Sequence, residues 1–336
     1  MADGYRIYGS ELSPYSVKVR SWFRYKGVDH EWIARGPQHE EEFRRLAKLP
    51  LIPLVVTPTG EALQDSTPLI ETLEKRLPEL SIHPYDAVAR FVSFLLEEYA
   101  DEWGNKWMFH YRWSYPADQD SAAERLAASR FGVLGEGLPA AAAKVKERMI
   151  GRLSFVGSSA ATGPIIEHSF GRVLKLLERH LADRAYVFGG APGLGDFGLW
   201  GQLYECWTDP TPGAKIRQEA PRVAAWIERM LAPVKRGPFE PWAWLAPTLM
   251  PLLKEEVAGR FLPWSAANAR ALAEGAQELL AEIDGKAFIQ QPQKYHARSL
   301  QALKARYAAL PENERAAVDA ALAPSGCLRY LREAKA

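Results

Sequence analysis

Residues 5–27 read YRIYGSELSPYSVKVRSWFRYKG, and the order of signals within them sets the architecture of the first part of the chain. Tyr5 to Gly9 has the composition of a short strand, and Ser13-Pro14 opens a helix, with serine as N-cap and proline at the first helical position. Gly27 ends that helix after Lys26. Working outward, His30 to Ile33 gives a second strand, Glu40 to Leu46 a short polar helix, and Leu54 to Thr57 a third strand. Thr59-Gly60 turns the chain into Ala62-Leu63-Gln64, and a further helix follows from Ser66 to about Arg76. The order βαβα followed by ββα predicts a small mixed sheet with helices packed on it, a thioredoxin-like unit over residues 1–80.

Leu77 to Asp86 carries Pro78 and Pro84 and reads as a linker. Strand signals then vanish. Helical patterns over Val88 to Tyr111, Ala122 to Met149, Pro164 to Ala182, Phe197 to Trp207 and Arg222 to Leu231 predict an all-helical domain over residues 87–232. Residues 233–336 form a C-terminal extension: a Pro- and Trp-rich passage from Pro233 to Pro251, then helical stretches near Ala266 to Ile283, Tyr295 to Ala309 and Glu312 to Leu322. The fold class is α+β, with a helical extension.

Composition narrows the partners. Lys+Arg at 42 against Asp+Glu at 41 leave a net charge of +1, so no long-range field recruits nucleic acid or an anionic membrane. Cys206 and Cys327 lie in no metal-ligand or CxxC spacing, so neither a metal site nor a disulfide framework is expected. The start of the chain lacks a basic segment followed by an apolar run, and the expected compartment is the cytoplasm. Eleven tryptophans, thirteen tyrosines and thirteen phenylalanines can fill a core or line an apolar pocket.

The strand, then Ser-Pro-Tyr-Ser-Val-Lys-Val-Arg at 13–20, then Leu51-Ile52-Pro53-Leu54, then Gln64-Asp65-Ser66 before a helix, resembles the N-terminal domain of cytosolic glutathione transferases. The resemblance covers roughly residues 5–232 and leaves the extension outside it. It implies glutathione as co-substrate, no metal, a hydrophobic small-molecule electrophile as second substrate, and a homodimer. It places Ser13 at the catalytic position, where a hydroxyl stands beside the glutathione sulfur, with Ser10 and Tyr15 as competing hydroxyls. Ile52-Pro53 matches the dipeptide that is cis in this family and pairs with the cysteinyl unit. Asp65-Ser66 matches the pair that holds the γ-glutamyl end, and a carboxylate ligand suits a helix N-terminus with a serine hydroxyl.

Two departures stand out. Pro50-Leu51 replaces the usual Gly-Lys or Gly-Gln before the proline, which leaves Arg35, His39 and Lys48 as candidates for the glycyl carboxylate. Gly193 replaces the hydroxyl residue of the family's helical capping box, with Asp196 retained three residues on. Trp103, Trp107 and Tyr111 recur every four residues on one helix face, which packs as core or, by the resemblance, lines the electrophile pocket together with Tyr15. His110, among those aromatics, is expected to be hydrogen-bonded packing. The activity so implied is conjugation of glutathione thiolate to a hydrophobic electrophile; the alternative is a non-catalytic protein of the same fold that serves as a binding or scaffold module.

Overall fold

A computed structural model describes residues 4–332. Strand β1 (Tyr5–Gly9) pairs in parallel with β2 (His30–Ala34), and helix α1 (Pro14–Lys26) makes the crossover that a parallel pair needs. Helix α2 (Glu40–Leu46) leads to β3 (Leu54–Val56), which runs antiparallel to β1 and is joined by a tight turn to β4 (Ala62–Gln64). The sheet order is β2-β1-β3-β4, and α3 (Ser66–Arg76) closes the unit. Gly27 is the C-cap of α1 at φ 63°, a left-handed conformation that glycine adopts without a Cβ clash. Val17, Trp22, Phe23, Leu69 and Leu73, all buried, pack the helices onto β1.

The second unit is helical throughout: α4 (Ala87–Tyr99), α5 (Asn105–Ser114), α6 (Pro116–Phe131), α7 (Leu138–Ile150), α8 (Gly163–His180), α9 (Leu194–Thr208), α10 (Pro210–Glu219) and α11 (Pro221–Arg229). The single helix expected from Val88 to Tyr111 is instead α4 and α5 joined through a π-helical turn, Ala100–Gly104. The helix expected from Ala122 to Met149 divides into α6 and α7, because Gly132 takes φ 64° and caps α6. Asp196 accepts from the backbone N–H of Gly193 at 2.9 Å, of Val187 at 2.7 Å and from the Trp226 indole at 3.0 Å, so the capping segment also ties α9 to α11.

The extension contributes α12 (Trp242–Leu252), a π-helical stretch (Leu253–Phe261), α13 (Leu262–Ala273), α14 (Lys294–Ala308), α15 (Glu312–Leu322) and α16 (Leu328–Arg332). It is not helical throughout. Between α13 and α14 stands a two-stranded hairpin, β5 (Leu279–Ile283) with β6 (Lys286–Gln290), where a helix from Ala266 to Ile283 was expected. Asp284 and Gly285 form its turn at φ 54° and 71°, the geometry that favours Asp-Gly in a two-residue hairpin. That dipeptide, preceded by the alternating apolar positions Leu279, Ala281 and Ile283, was the sequence signal for the hairpin, and those three side chains are the buried ones of β5.

The extension also shares the main core. Leu249, Leu253, Phe261, Leu262 and Trp264 are fully buried in the same apolar cluster as Trp22, Trp103, Phe170 and Trp200. Gln290 at the end of β6 accepts from the Lys106 ammonium at 2.9 Å and from the Trp264 indole at 3.0 Å. Lys106 lies over the Trp264 ring, 3.9 Å from its centre, and burial holds its pKa well below the usual lysine value. No helix among the described residues is long and apolar enough to cross a membrane.

Candidate functional site

Strand register brings the site residues to one end of the sheet. Tyr8 pairs with Leu54, and Leu54 pairs with Gln64, so the last residues of β1, the first of β3 and the last of β4 lie side by side. The segments just beyond them therefore emerge together: residues 10–13 leading into α1, Ile52-Pro53 entering β3, and Asp65-Ser66 opening α3.

Ser13 is the N-cap of α1 in extended conformation, and its hydroxyl accepts the Ser16 N–H at 3.3 Å. The side chain is half-buried. Its hydroxyl proton remains to donate, and the unpaired N–H groups of the first helical turn put partial positive charge beside it. The loop before it is held on three sides. The Ser10 hydroxyl accepts the Leu12 N–H at 3.2 Å, Arg20 forks onto Glu11, and the Arg112 guanidinium donates to the Leu12 carbonyl at 3.2 Å. Gly9 is required at the end of β1, since a Cβ there would meet the Trp32 ring at 2.5 Å.

Tyr15 points elsewhere. Its phenol donates to the Asp101 carbonyl at 3.0 Å and accepts from the Asn105 amide at 2.7 Å, joining α1 to the π turn of the helical unit. Burial, with Asp101 and Glu102 nearby, holds its pKa well above the usual phenol value, so its proton is committed to that contact. It is neither a rival hydroxyl for the thiol nor a free pocket wall.

Ile52-Pro53 is cis, with Pro53 buried and Ile52 half-buried. The loop before it is shaped by Gln64, whose amide accepts from the Lys48 and Leu49 N–H groups at 2.8 and 3.0 Å and donates to the Leu49 and Leu51 carbonyls at 2.9 and 2.8 Å. Arg35 is spent on the Pro50 carbonyl at 2.8 Å and on Glu40. Lys48 is exposed and makes no ion pair among the described residues, and His39 is half-buried.

Asp65 is exposed and sits at φ 71°, ψ 114°, a conformation of about 1–3 kcal/mol strain for a residue with a Cβ, which turns its carboxylate out at the mouth of α3. Ser66 behind it is buried. Beneath lies a buried polar node that sequence reading missed. Lys18 donates to Asp101 at 2.7 Å, to Glu97, and to Thr67 at 3.2 Å, linking α1, α3 and α4. Its position inside an apparently amphipathic helix gave no warning that both faces would be covered.

Trp103 and Trp107 belong to the core, whereas Tyr111 touches a surface cavity that it lines with Pro164, Glu167 and Arg172. Trp103 and Trp107 are fully buried and both donate to the Ser169 hydroxyl, at 2.8 and 3.0 Å, and Tyr111 is 4% exposed. The extension covers this face from outside: Trp264 and Phe288 stand 5.9 and 5.5 Å from Trp103, centre to centre. The electrophile-pocket reading is thereby corrected for Trp103 and Trp107, which are packed by the extension and by Phe170 of α8. His110 has both ring nitrogens engaged, with Ser158 at 2.8 Å and Glu167 at 3.0 Å.

No curated protein matches the chain in sequence. Among solved structures, the beta-etherase LigF from Sphingobium sp. strain SYK-6 is 18% identical, with a TM-score of 0.47, over 68% of this chain and 95% of its own. A glutathione S-transferase from Rhodospirillum rubrum is 18% identical, TM-score 0.46, over 72% and 98%. One from Methylobacterium radiotolerans, in complex with glutathione sulfonate, is 21% identical, TM-score 0.41, over 70% and 95%. The family model of the glutathione S-transferase N-terminal domain matches residues 12–76, and that of the C-terminal domain matches residues 166–229. With both domain signatures in order on a thioredoxin-like unit and a helical unit, the chain belongs to the glutathione S-transferase superfamily.

Proposed function

We propose that the protein is a glutathione transferase that ionises the glutathione thiol against Ser13 and joins the sulfur to a hydrophobic electrophile. The observation that carries this reading is the convergence of Ser13, Ile52-Pro53 and Asp65-Ser66 at one end of the sheet. A thiol of pKa near ~8.5 is mostly protonated at neutral pH, and lowering it by ~2 units takes about 2.7 kcal/mol in favour of the thiolate. A hydrogen bond from Ser13 and the positive end of α1 are the two local sources. In the reaction the thiolate lone pair forms the new sulfur–carbon bond, and the leaving group departs with its electron pair or, in an addition, the carbon framework takes up a proton.

Asp65 and Ser66 are the proposed partners of the γ-glutamyl end, and the backbone at Ile52-Pro53 of the cysteinyl unit. Lys48, exposed and free of an ion pair among the described residues, is the proposed partner of the glycyl carboxylate in place of Arg35. Residues 1–80, 87–232 and 233–336 are taken as the glutathione-binding unit, the helical unit and the extension; soluble, cytoplasmic action as a homodimer belongs to the same reading. The second reading, a binding or scaffold protein without chemistry, is favoured by Pro50-Leu51 at the approach to the cysteinyl unit.

The test is a pH titration of the thiolate ultraviolet absorbance of glutathione mixed with the protein, with Ser13→Ala as the paired variant. A thiolate signal well below the free-thiol pKa that shifts upward in the variant is the expected result. Glutathione binding with no enzyme-dependent thiolate would leave the scaffold reading.

A further inference from the structure

Helix α14 of the extension begins over the same sheet end. Its entry is clamped by the buried Asn268 of α13, which donates to the Gln293 carbonyl at 2.9 Å and accepts the Gln293 N–H at 2.7 Å. The next residues reach the site. Tyr295 donates its phenolic proton to Asp65 Oδ1 at 2.9 Å, and the His296 ring stands on Trp264, 4.8 Å between centres, with Nδ1 on Glu102. A rigid turn thus delivers an aromatic pair from outside the two family domains onto the carboxylate that the functional reading gives to the γ-glutamyl end.

We propose that the extension completes the glutathione site, with Tyr295 and His296 roofing its γ-glutamyl end and selecting thiols whose α-ammonium is free. This rests on the glutathione reading above. Asp65 keeps acceptor capacity beyond the bond from Tyr295, and the phenol oxygen that donates to Asp65 still has lone pairs. An ammonium carries three donors, so it can bind the carboxylate and the Tyr295 oxygen together, at charge-assisted strength. Glu102 is already paired with His296, and Asp101 with Lys18, which leaves Asp65 as the carboxylate open to a ligand cation. An acyl group on that nitrogen removes the charge and leaves one N–H donor in place of three, so it cannot bind Asp65 and Tyr295 together. Tyr295 is 53% exposed, so its replacement does not put the fold at risk.

The experiment is calorimetric titration of the full chain and its Tyr295→Phe and Tyr295→Ala variants with glutathione and with glutathione acetylated on the γ-glutamyl nitrogen. Tyr295→Phe is expected to weaken glutathione roughly 10- to 150-fold, the worth of one hydrogen bond to a charged group, while the thiolate titration stays where it was. Tyr295→Ala is expected to narrow the preference for glutathione over the acetylated form by about tenfold or more. Glutathione binding that is unchanged or tighter in both variants, with the preference intact, would overturn the proposal; tighter binding would make Tyr295 a blocking latch. Failure of the unaltered protein to bind glutathione would instead remove the parent reading, and this one with it.

Discussion

The indole N–H of Trp107 donates to the Ser169 hydroxyl at 3.0 Å, and that hydroxyl, shared with Trp103, passes its own proton to Glu256 at 2.6 Å. One serine therefore satisfies three buried groups on α5, its preceding π turn and the extension. Ser169→Ala is expected to destabilise the protein by about 1–3 kcal/mol, since it orphans buried donors without removing apolar area. Urea unfolding measures it. Trp107→Phe is expected to lower stability while leaving the KM for electrophilic substrates unchanged, as a core residue does and a pocket wall does not.

Arg112 is a second buried hub. It pairs with Glu205 and Asp209, each at 2.7 Å, and also holds the Leu12 carbonyl just before Ser13. Arg112→Met leaves the buried Glu205 without its cation and Asp209 with Arg125 alone, at a cost of about 3–5 kcal/mol. Thermal unfolding checks the stability, and the glutathione thiolate signal, followed below the melting range, is expected to weaken because the Ser13 loop loses an anchor.

Capping and thiol activation by Ser13 can be separated. Ser13→Ala loses the cap as well as the donor, at about 0.5–2 kcal/mol of stability. Ser13→Asp keeps a good cap, and its stability is expected within about 0.5 kcal/mol of the parent. Its charge repels a thiolate, so the thiolate absorbance is expected to vanish at neutral pH. A Ser13→Asp variant that still ionises glutathione would move the activating hydroxyl elsewhere.

His180 couples the helical unit to the extension and makes stability depend on pH. Its ring pairs with the Thr248 hydroxyl at 2.7 Å and the Val187 carbonyl at 2.8 Å, and burial pushes its pKa down to about 4. A histidine depressed from about 6.5 contributes stability that is present above pH 6.5 and is lost as pH falls towards 4. Between pH 8 and pH 5 this amounts to about 2 kcal/mol. His180→Gln lacks that titration, so urea midpoints of the two proteins are expected to converge as the pH is lowered from 8 to 5.

Local signals made much of the thioredoxin-like unit legible. Ser13 before Pro14, Gly27 after Lys26 and the short apolar runs each specify a conformation through contacts only a few residues apart, and the structure keeps β1, α1, β2, β3 and α3 close to those bounds. The Asp284-Gly285 turn was legible in the same way but was overridden by helical spacing on either side. The aromatic stripe could not be resolved from spacing, because a buried face and a pocket face share one periodicity. What covers it, Trp264 and Phe288, lies more than 150 residues away in sequence.

The sequence by itself determined which residues cap, turn and pair locally, and hence the order of units, while the candidate positions Ser13, Ile52, Pro53, Asp65 and Ser66 came from the family resemblance that this order carries. Only the tertiary structure decided that Tyr15 belongs to a contact between units, that Lys18 and Arg112 are buried hubs, and that Tyr295 meets Asp65 across 230 residues. The physical reason is range. Capping and turn energies are set within a few residues, whereas burial and ion pairing depend on which distant surface the chain brings to each side chain, and here that surface is the extension.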